Sequence, residues 1–146
     1  MTDRVLDYAT LLLALFTAGS LIAGLVVYYR QCNAMIFIEY TKRYSEVINR
    51  FPAEALKARL DLTATLPQKS NDLSLAVLRY LNLCAEEFYL CKRKYLSPHV
   101  WQIWESELKR TLSSPLFVRE WVELREEFRS FPDFLDYVDA VQRAGH

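Results

Sequence analysis

Tyr8 to Tyr29 reads YATLLLALFTAGSLIAGLVVYY, twenty-two residues without a charge. Seventeen of them are hydrophobic; the others are Thr10, Thr17, Gly19, Ser20 and Gly24. As a helix rising ~1.5 Å per residue, the run spans about 33 Å, enough for the hydrocarbon core of a bilayer with slight tilt. Outside it, roughly 48% of the residues are hydrophobic, which is ordinary for a soluble domain. The 52% of the whole 146-residue chain is therefore an average over one membrane span and one ordinary domain.

The flanks of the run decide what kind of span it is. Its apolar stretch is longer than the ~7–15 residues of a cleaved signal peptide. The leader Met1–Asp7 carries Arg4 against Asp3 and Asp7, and Arg30-Gln31-Cys32 lacks the small residues that precede a lipidated cysteine. The run reads as an uncleaved anchor. Arg30, Lys42, Arg43 and Arg50 follow it while only Arg4 precedes it. Basic residues stay in the cytoplasm, so the N-terminus is expected outside and the remainder inside. Tyr8 at one end and Tyr28 with Tyr29 at the other suit the interfacial belts. The cysteines Cys32, Cys84 and Cys91 agree with a reducing compartment, since Cys84 and Cys91 on one helix lie ~10.5 Å apart along the axis, too far for a disulfide.

Beyond the run, no proline occurs before Pro52 and no glycine between Gly24 and Gly145. The helix is expected to continue as a stalk to about Arg50, with Ile36, Tyr40, Tyr44, Val47, Ile48 and Phe51 on an apolar stripe that needs a partner. A short helix is expected over Pro52 to Leu62 and a loop over Thr63 to Asp72. A central helix follows from Leu73 to about Leu96, with Val77, Leu81, Cys84, Phe88, Cys91 and Tyr95 on one face. Ser97-Pro98 and Ser114-Pro115 each place Ser at the N-cap and Pro at the first helical position. Phe131-Pro132 is a looser version. Helices are thus expected over Pro98 to Leu112, Pro115 to Ser130 and Pro132 to Arg143. The fold class is all-α: a transmembrane helix (8–29) after an outer tail (1–7), a stalk (30–51) and a cytoplasmic helical bundle (52–146).

Several chemistries find no support. The 18 basic and 18 acidic residues balance, against a nucleic-acid binder. His99 and His146 have no Cys, Asp or Glu at metal-ligand spacing, and there is no C-x-x-C pair. The domain has no glycine loop for a phosphate and no G-x-S-x-G nucleophile motif. No catalytic residue, metal or cofactor is expected.

Two groups of residues are candidate sites. Projected at 100° per residue, Asp3, Thr10, Ala14, Thr17, Gly24 and Tyr28 fall within about 80° of arc, with Ser20 at one margin. Ser20 with Gly24, and Gly19 with Ala23, are small-xxx-small pairs that let helices approach closely. The stripe reads either as an oligomer contact, lining a narrow pore in a ring of four or more copies, or as part of a lone anchor. In the domain, Glu86 and Glu87 are adjacent carboxyls in an apolar stretch of the central helix; one of them is expected to be partly buried and paired with Arg79 or Asn82, as a structural network or as part of a binding site. Trp101, Trp104 and Trp121 read as core or as an anchor for a protein partner. Lys92-Arg93-Lys94 reads as a complement to the helix C-terminus or as an anion- or lipid-facing patch.

Tyr80-Leu81-Asn82-Leu83-Cys84-Ala85-Glu86-Glu87, then Trp101-x-x-Trp104, Ser114-Pro115-Leu116-Phe117, Trp121 and Phe131-Pro132-Asp133-Phe134, resemble small bacterial single-pass membrane proteins of the DUF4760-like kind. The resemblance covers about Leu73 to Val141 and implies localisation in a bacterial inner membrane. The layout, without a motif, is also similar to that of the membrane effectors of Hailong anti-phage systems. This likeness implies a tetrameric pore held closed by a nucleotidyltransferase partner.

The expected function is a homo-oligomeric inner-membrane protein, its partners the lipid bilayer, its own copies and a cytosolic protein regulator. Its domain is expected to control the membrane helices as a signal-gated pore or depolarising effector. The alternative is a membrane-tethered scaffold or sensor that recruits a cytosolic protein, with a soluble fragment beginning near Tyr44.

Overall fold

A computed structural model describes residues 2–60, 63 and 65–145, with side chains from Asp7 onward except Leu60. The expected helix end at Leu62, the terminal His146 and the Asp3 side chain lie outside the described residues. Among those residues every regular element is helical: α1 (Thr2–Ile48), α2 (Ala53–Leu60), α3 (Asn71–Lys92), α4 (Pro98–Leu112), α5 (Pro115–Leu124), a 3-10 turn (Arg125–Phe128) and α6 (Pro132–Ala144). The chain divides into two compact units, one ending at Ile36 and the other beginning at Phe37.

α1 is uninterrupted because nothing before Pro52 breaks it. Its Thr and Ser hydroxyls turn back on the helix: Thr17 donates to the Leu13 carbonyl at 2.8 Å, Thr41 to Phe37 at 2.8 Å and Ser45 to Thr41 at 3.1 Å. Residues 7–31 are all exposed.

The second unit is built by local capping and a shared apolar core. Ser70, Ser97 and Ser114 sit at the N-caps of α3, α4 and α5, their hydroxyls accepting from Leu73, Val100 and Phe117 amides. Pro98, Pro115 and Pro132 occupy the first helical turn. Phe131, before α6, makes no side-chain cap bond. The core runs along α3 through Leu73, Val77, Tyr80, Leu81, Cys84 and Phe88. Leu108 and Leu112 of α4, Leu116, Phe117 and Trp121 of α5, and Phe134 and Val138 of α6 close over it. Phe128 links Trp121 and Phe134, with ring centroids 5.5 Å from each.

α3 begins at Asn71, capped by Ser70, rather than at Leu73, and two helix ends differ by more. α3 stops at Lys92 rather than near Leu96. Lys94 adopts a left-handed φ of 59°, its amide donates to the Cys91 carbonyl and the Tyr95 amide donates to Leu90. This is a Schellman ending, which satisfies carbonyls the helix would otherwise leave bare. α5 ends at Leu124 and tightens into the 3-10 turn rather than running to Ser130, as the Phe131 amide closes on the Phe128 carbonyl at 2.9 Å.

Candidate functional site

Along α3, residues 80, 84 and 87 are spaced three and four apart and so share one face. Tyr80 and Cys84 belong to the core, and Glu87 follows them inward, 8% exposed. Glu86, one position earlier, points about 100° away and stays exposed. Helical geometry therefore gives two adjacent carboxyls opposite surroundings.

Glu86 is held by the C-terminal part of α1. Arg43 reaches it with two guanidinium nitrogens, Nη1 to Oε2 at 2.5 Å and Nη2 to Oε1 at 3.0 Å. The Tyr40 hydroxyl donates to Oε2 at 3.2 Å. The fork geometry is the bidentate one that favours Arg over Lys. It holds the Glu86 carboxyl below the usual carboxylate range. The expected pairing of Glu86 with Arg79 or Asn82 is not what forms. Asn82 lies one turn and Arg79 two turns before Glu86 on the same helix, whereas α1 supplies a planar cation aimed at the carboxyl.

Glu87 faces a cavity of about 230 Å³. α1 contributes Tyr40, Thr41 and Tyr44 to its wall, α3 contributes Tyr80 and Cys84, and α4 contributes Trp104 and Glu107. Burial pushes the Glu87 carboxyl up to about 8, opposed by the field of Arg43 and assisted by that of Glu86. Burial likewise pushes the Tyr80 hydroxyl and the Cys84 thiol up. No hydrogen bond or ion pair reaches Glu87 among the described residues. Arg59 of α2, nearly buried, donates to the Tyr44 hydroxyl at 2.8 Å and lies 3.6 Å from Glu107, which also accepts from Arg110 at 2.7 Å.

Rings join these elements. Trp104 packs on Phe37 at 6.0 Å and on Tyr40 at 5.6 Å. Tyr44 meets Tyr80 edge-on at 6.2 Å. Arg43 lies over the Tyr40 ring, and Arg59 over those of Tyr44 and Tyr80. Such contacts reward a positive charge placed against an aromatic face.

The other candidate residues lie apart. Trp101 is half-buried against Phe88 and Tyr137. Trp121 is core, its indole donating to Asp139 at 2.8 Å. Lys92 lies over the Phe88 ring and 3.8 Å from Asp133, and Arg93 over the Tyr89 ring. In α1, Thr10, Ala14, Thr17, Ser20, Gly24 and Tyr28 are exposed. A Cβ built on Gly19 or Gly24 would meet nothing within 4 Å.

Arg59 and Glu107 are not among the residues the sequence singles out; Arg43 stands there only in the basic flank, Tyr40 and Tyr44 only on the apolar stripe, and Glu87 only as one of two adjacent carboxyls. For Glu87 the signal was present: it continues the Tyr80–Cys84 ridge at helical spacing. For Arg43 and Arg59 none was, because their partners lie on other elements. Among the described residues there is no group of three or more His, Cys, Asp and Glu placed to hold a metal ion. No protein-family model, curated protein or solved structure matches the chain.

Proposed function

We propose that this is a single-pass membrane protein with its N-terminus outside and its helical unit in the cytoplasm. In this reading the helical unit controls a homo-oligomeric assembly of the membrane helices, acting as a signal-gated pore or depolarising effector. The observation that carries the reading is the exposure of the apolar part of α1. Leu12, Phe16, Leu21 and Leu25 are each 66–75% exposed on a helix long and apolar enough to cross a membrane. The core helix of a soluble protein would hide these side chains, and water penalises each large aliphatic by ~1.5–3 kcal/mol relative to burial. Lipid covers such a surface on all sides.

Two further observations support control and assembly. α1 is one helix from Thr2 to Ile48, and its last part supplies a wall of the Glu87 cavity. An event at that wall therefore acts on the helix that carries the apolar segment. Among the described residues nothing packs within 4 Å of a Cβ at Gly19 or Gly24, and their small size suits close approach of another helix. The bacterial inner membrane and the defence role rest on the resemblance described above.

The test is the stoichiometry of protein purified in detergent, together with membrane potential in cells expressing it. A tetramer or larger ring and depolarisation are expected, both lost in Thr17→Leu and Gly24→Leu. A monomer, or depolarisation untouched by both changes, overturns the pore.

A second reading is a membrane-tethered scaffold. It is favoured by an open groove of about 480 Å³ along α3 and the start of α6, where Tyr89, Lys92, Arg93 and the exposed Phe131 combine apolar surface with positive charge. A pull-down from lysate that captures nothing removes that reading.

A further inference from the structure

Three carboxyls surround or border the aromatic cavity, and only two are matched. Glu86 is taken by Arg43 and Tyr40, and Glu107 by Arg59 and Arg110. Glu87, the most buried of the three, is left with no bonded partner among the described residues. Most of the Glu87 side chain is removed from water, its carboxyl reaching solvent only through the cavity, and an apolar residue would fill the same position at less cost. The group therefore implies something that arrives from outside the chain.

The wall defines the chemistry of that visitor. Its charged side chains, Glu87 and Glu107, are both acids. An anion entering there would meet two carboxyls and no base among the lining side chains, Arg59 behind the rings being shared with Tyr44 and Glu107. Four rings, from Tyr40, Tyr44, Tyr80 and Trp104, make up much of the remaining surface. Rings of this cluster already accept internal cations: Arg43 sits 5.1 Å from the Tyr40 centroid, and Arg59 sits 5.7 and 5.9 Å from those of Tyr44 and Tyr80. The volume of about 230 Å³ exceeds the ~150 Å³ that admits a benzene molecule in a protein interior.

We propose that this cavity is a receptor site for a small organic cation, an amine or quaternary ammonium with an apolar body, held by Glu87 as counter-ion and by the surrounding aromatic rings. The body displaces water from the rings while the charge meets the one carboxyl the fold leaves unmatched. Glu107 draws the cation toward the cavity but is shared with Arg59 and Arg110. Binding by itself requires neither a membrane nor an oligomer, so the inference goes beyond the proposed function. If both hold, this is where the signal is read, since Tyr40, Thr41 and Tyr44 belong to α1.

The experiment is calorimetric titration of the full chain in non-ionic detergent at about pH 8.5, where the Glu87 carboxyl, held up to about 8 by burial, is mostly ionised. The probes are benzylammonium and tetramethylammonium, with benzyl alcohol and benzoate as neutral and anionic counterparts of the first. At least one cation is expected to bind, benzylammonium at least tenfold more tightly than benzyl alcohol, and benzoate not at all. Glu87→Gln is expected to weaken cation binding at least tenfold and leave benzyl alcohol unchanged. Glu107→Gln, a change at a more exposed position, is expected to weaken it less. Binding of neither cation, benzyl alcohol binding as tightly as benzylammonium, or indifference to Glu87→Gln overturns the proposal. A monomer that binds the cation keeps the site and removes the pore. A depolarising oligomer that binds no cation does the reverse.

Discussion

At the scale of single residues, Glu87 makes stability depend on pH in an unusual direction. An unfolded chain releases this proton near the ordinary Glu value of 4.5, whereas the fold retains it to about 8. Between those values the folded state binds more protons than the unfolded one, so stability falls as pH rises through the window and levels off above it. The loss across the window is on the order of 5 kcal/mol. Glu87→Gln keeps the shape without the proton and is expected to flatten the curve and stabilise the fold at pH 8; chemical denaturation from pH 5 to 9 checks this. Glu86 acts in the opposite sense, since its depressed carboxyl withdraws support only in acid. Exposure of both Arg43 and Glu86 side chains, 38% and 47%, limits that pair to about 1 kcal/mol or less. Adjacent residues of one kind thus differ because a helix turns about 100° per residue. The sequence offers the Glu86–Glu87 pair only Arg79 and Asn82 of its own helix, because partners on other elements are not visible without a fold. Arg43 was not legible, because its role depends on α1 lying against α3.

At the scale of elements, helix starts were legible and helix ends less so. Ser and Pro act through the first turn they precede, so Ser97-Pro98 and Ser114-Pro115 mark where α4 and α5 begin. The end of α3 depends on Lys94 taking a left-handed conformation that favours Gly and Asn, and nothing in its type announces that. Replacement by Gly removes the clash of the Lys94 Cβ with its own backbone. Lys94→Gly is expected to stabilise the unit by about 1 kcal/mol, read as a higher denaturation midpoint with an unchanged slope. Pro at that position is expected to destabilise it, because the Lys94 amide donates to Cys91.

At the scale of the whole molecule, the second unit includes part of what reads from sequence as a stalk. Phe37, Tyr40 and Arg43 pack on Trp104 and Glu86, so a soluble fragment beginning near Tyr44 discards these contacts. Fragment 37–146 is expected to be more stable than 44–146 by roughly 2 kcal/mol, summing two aromatic contacts and a surface ion pair. Thermal melts of the two side by side measure the difference.

The chain's sequence by itself determined what depends on near neighbours: the all-helical class, the uncharged apolar run, the Ser-Pro helix starts and the buried face of α3 from Val77 to Phe88, though not Tyr95, which lies past the helix end and is exposed. Each follows from a period of 3.6 residues or from a cap that acts within one turn, and neither requires a fold to be read. Only the tertiary structure decided which carboxyl is matched. Ion pairs and cavities join residues such as Arg43 and Glu86, or Tyr44 and Glu87, that are more than forty positions apart. Their meeting is a property of how α1, α3 and α4 pack, because burial and distance, not residue type, set whether a carboxyl finds a cation or is left to await one.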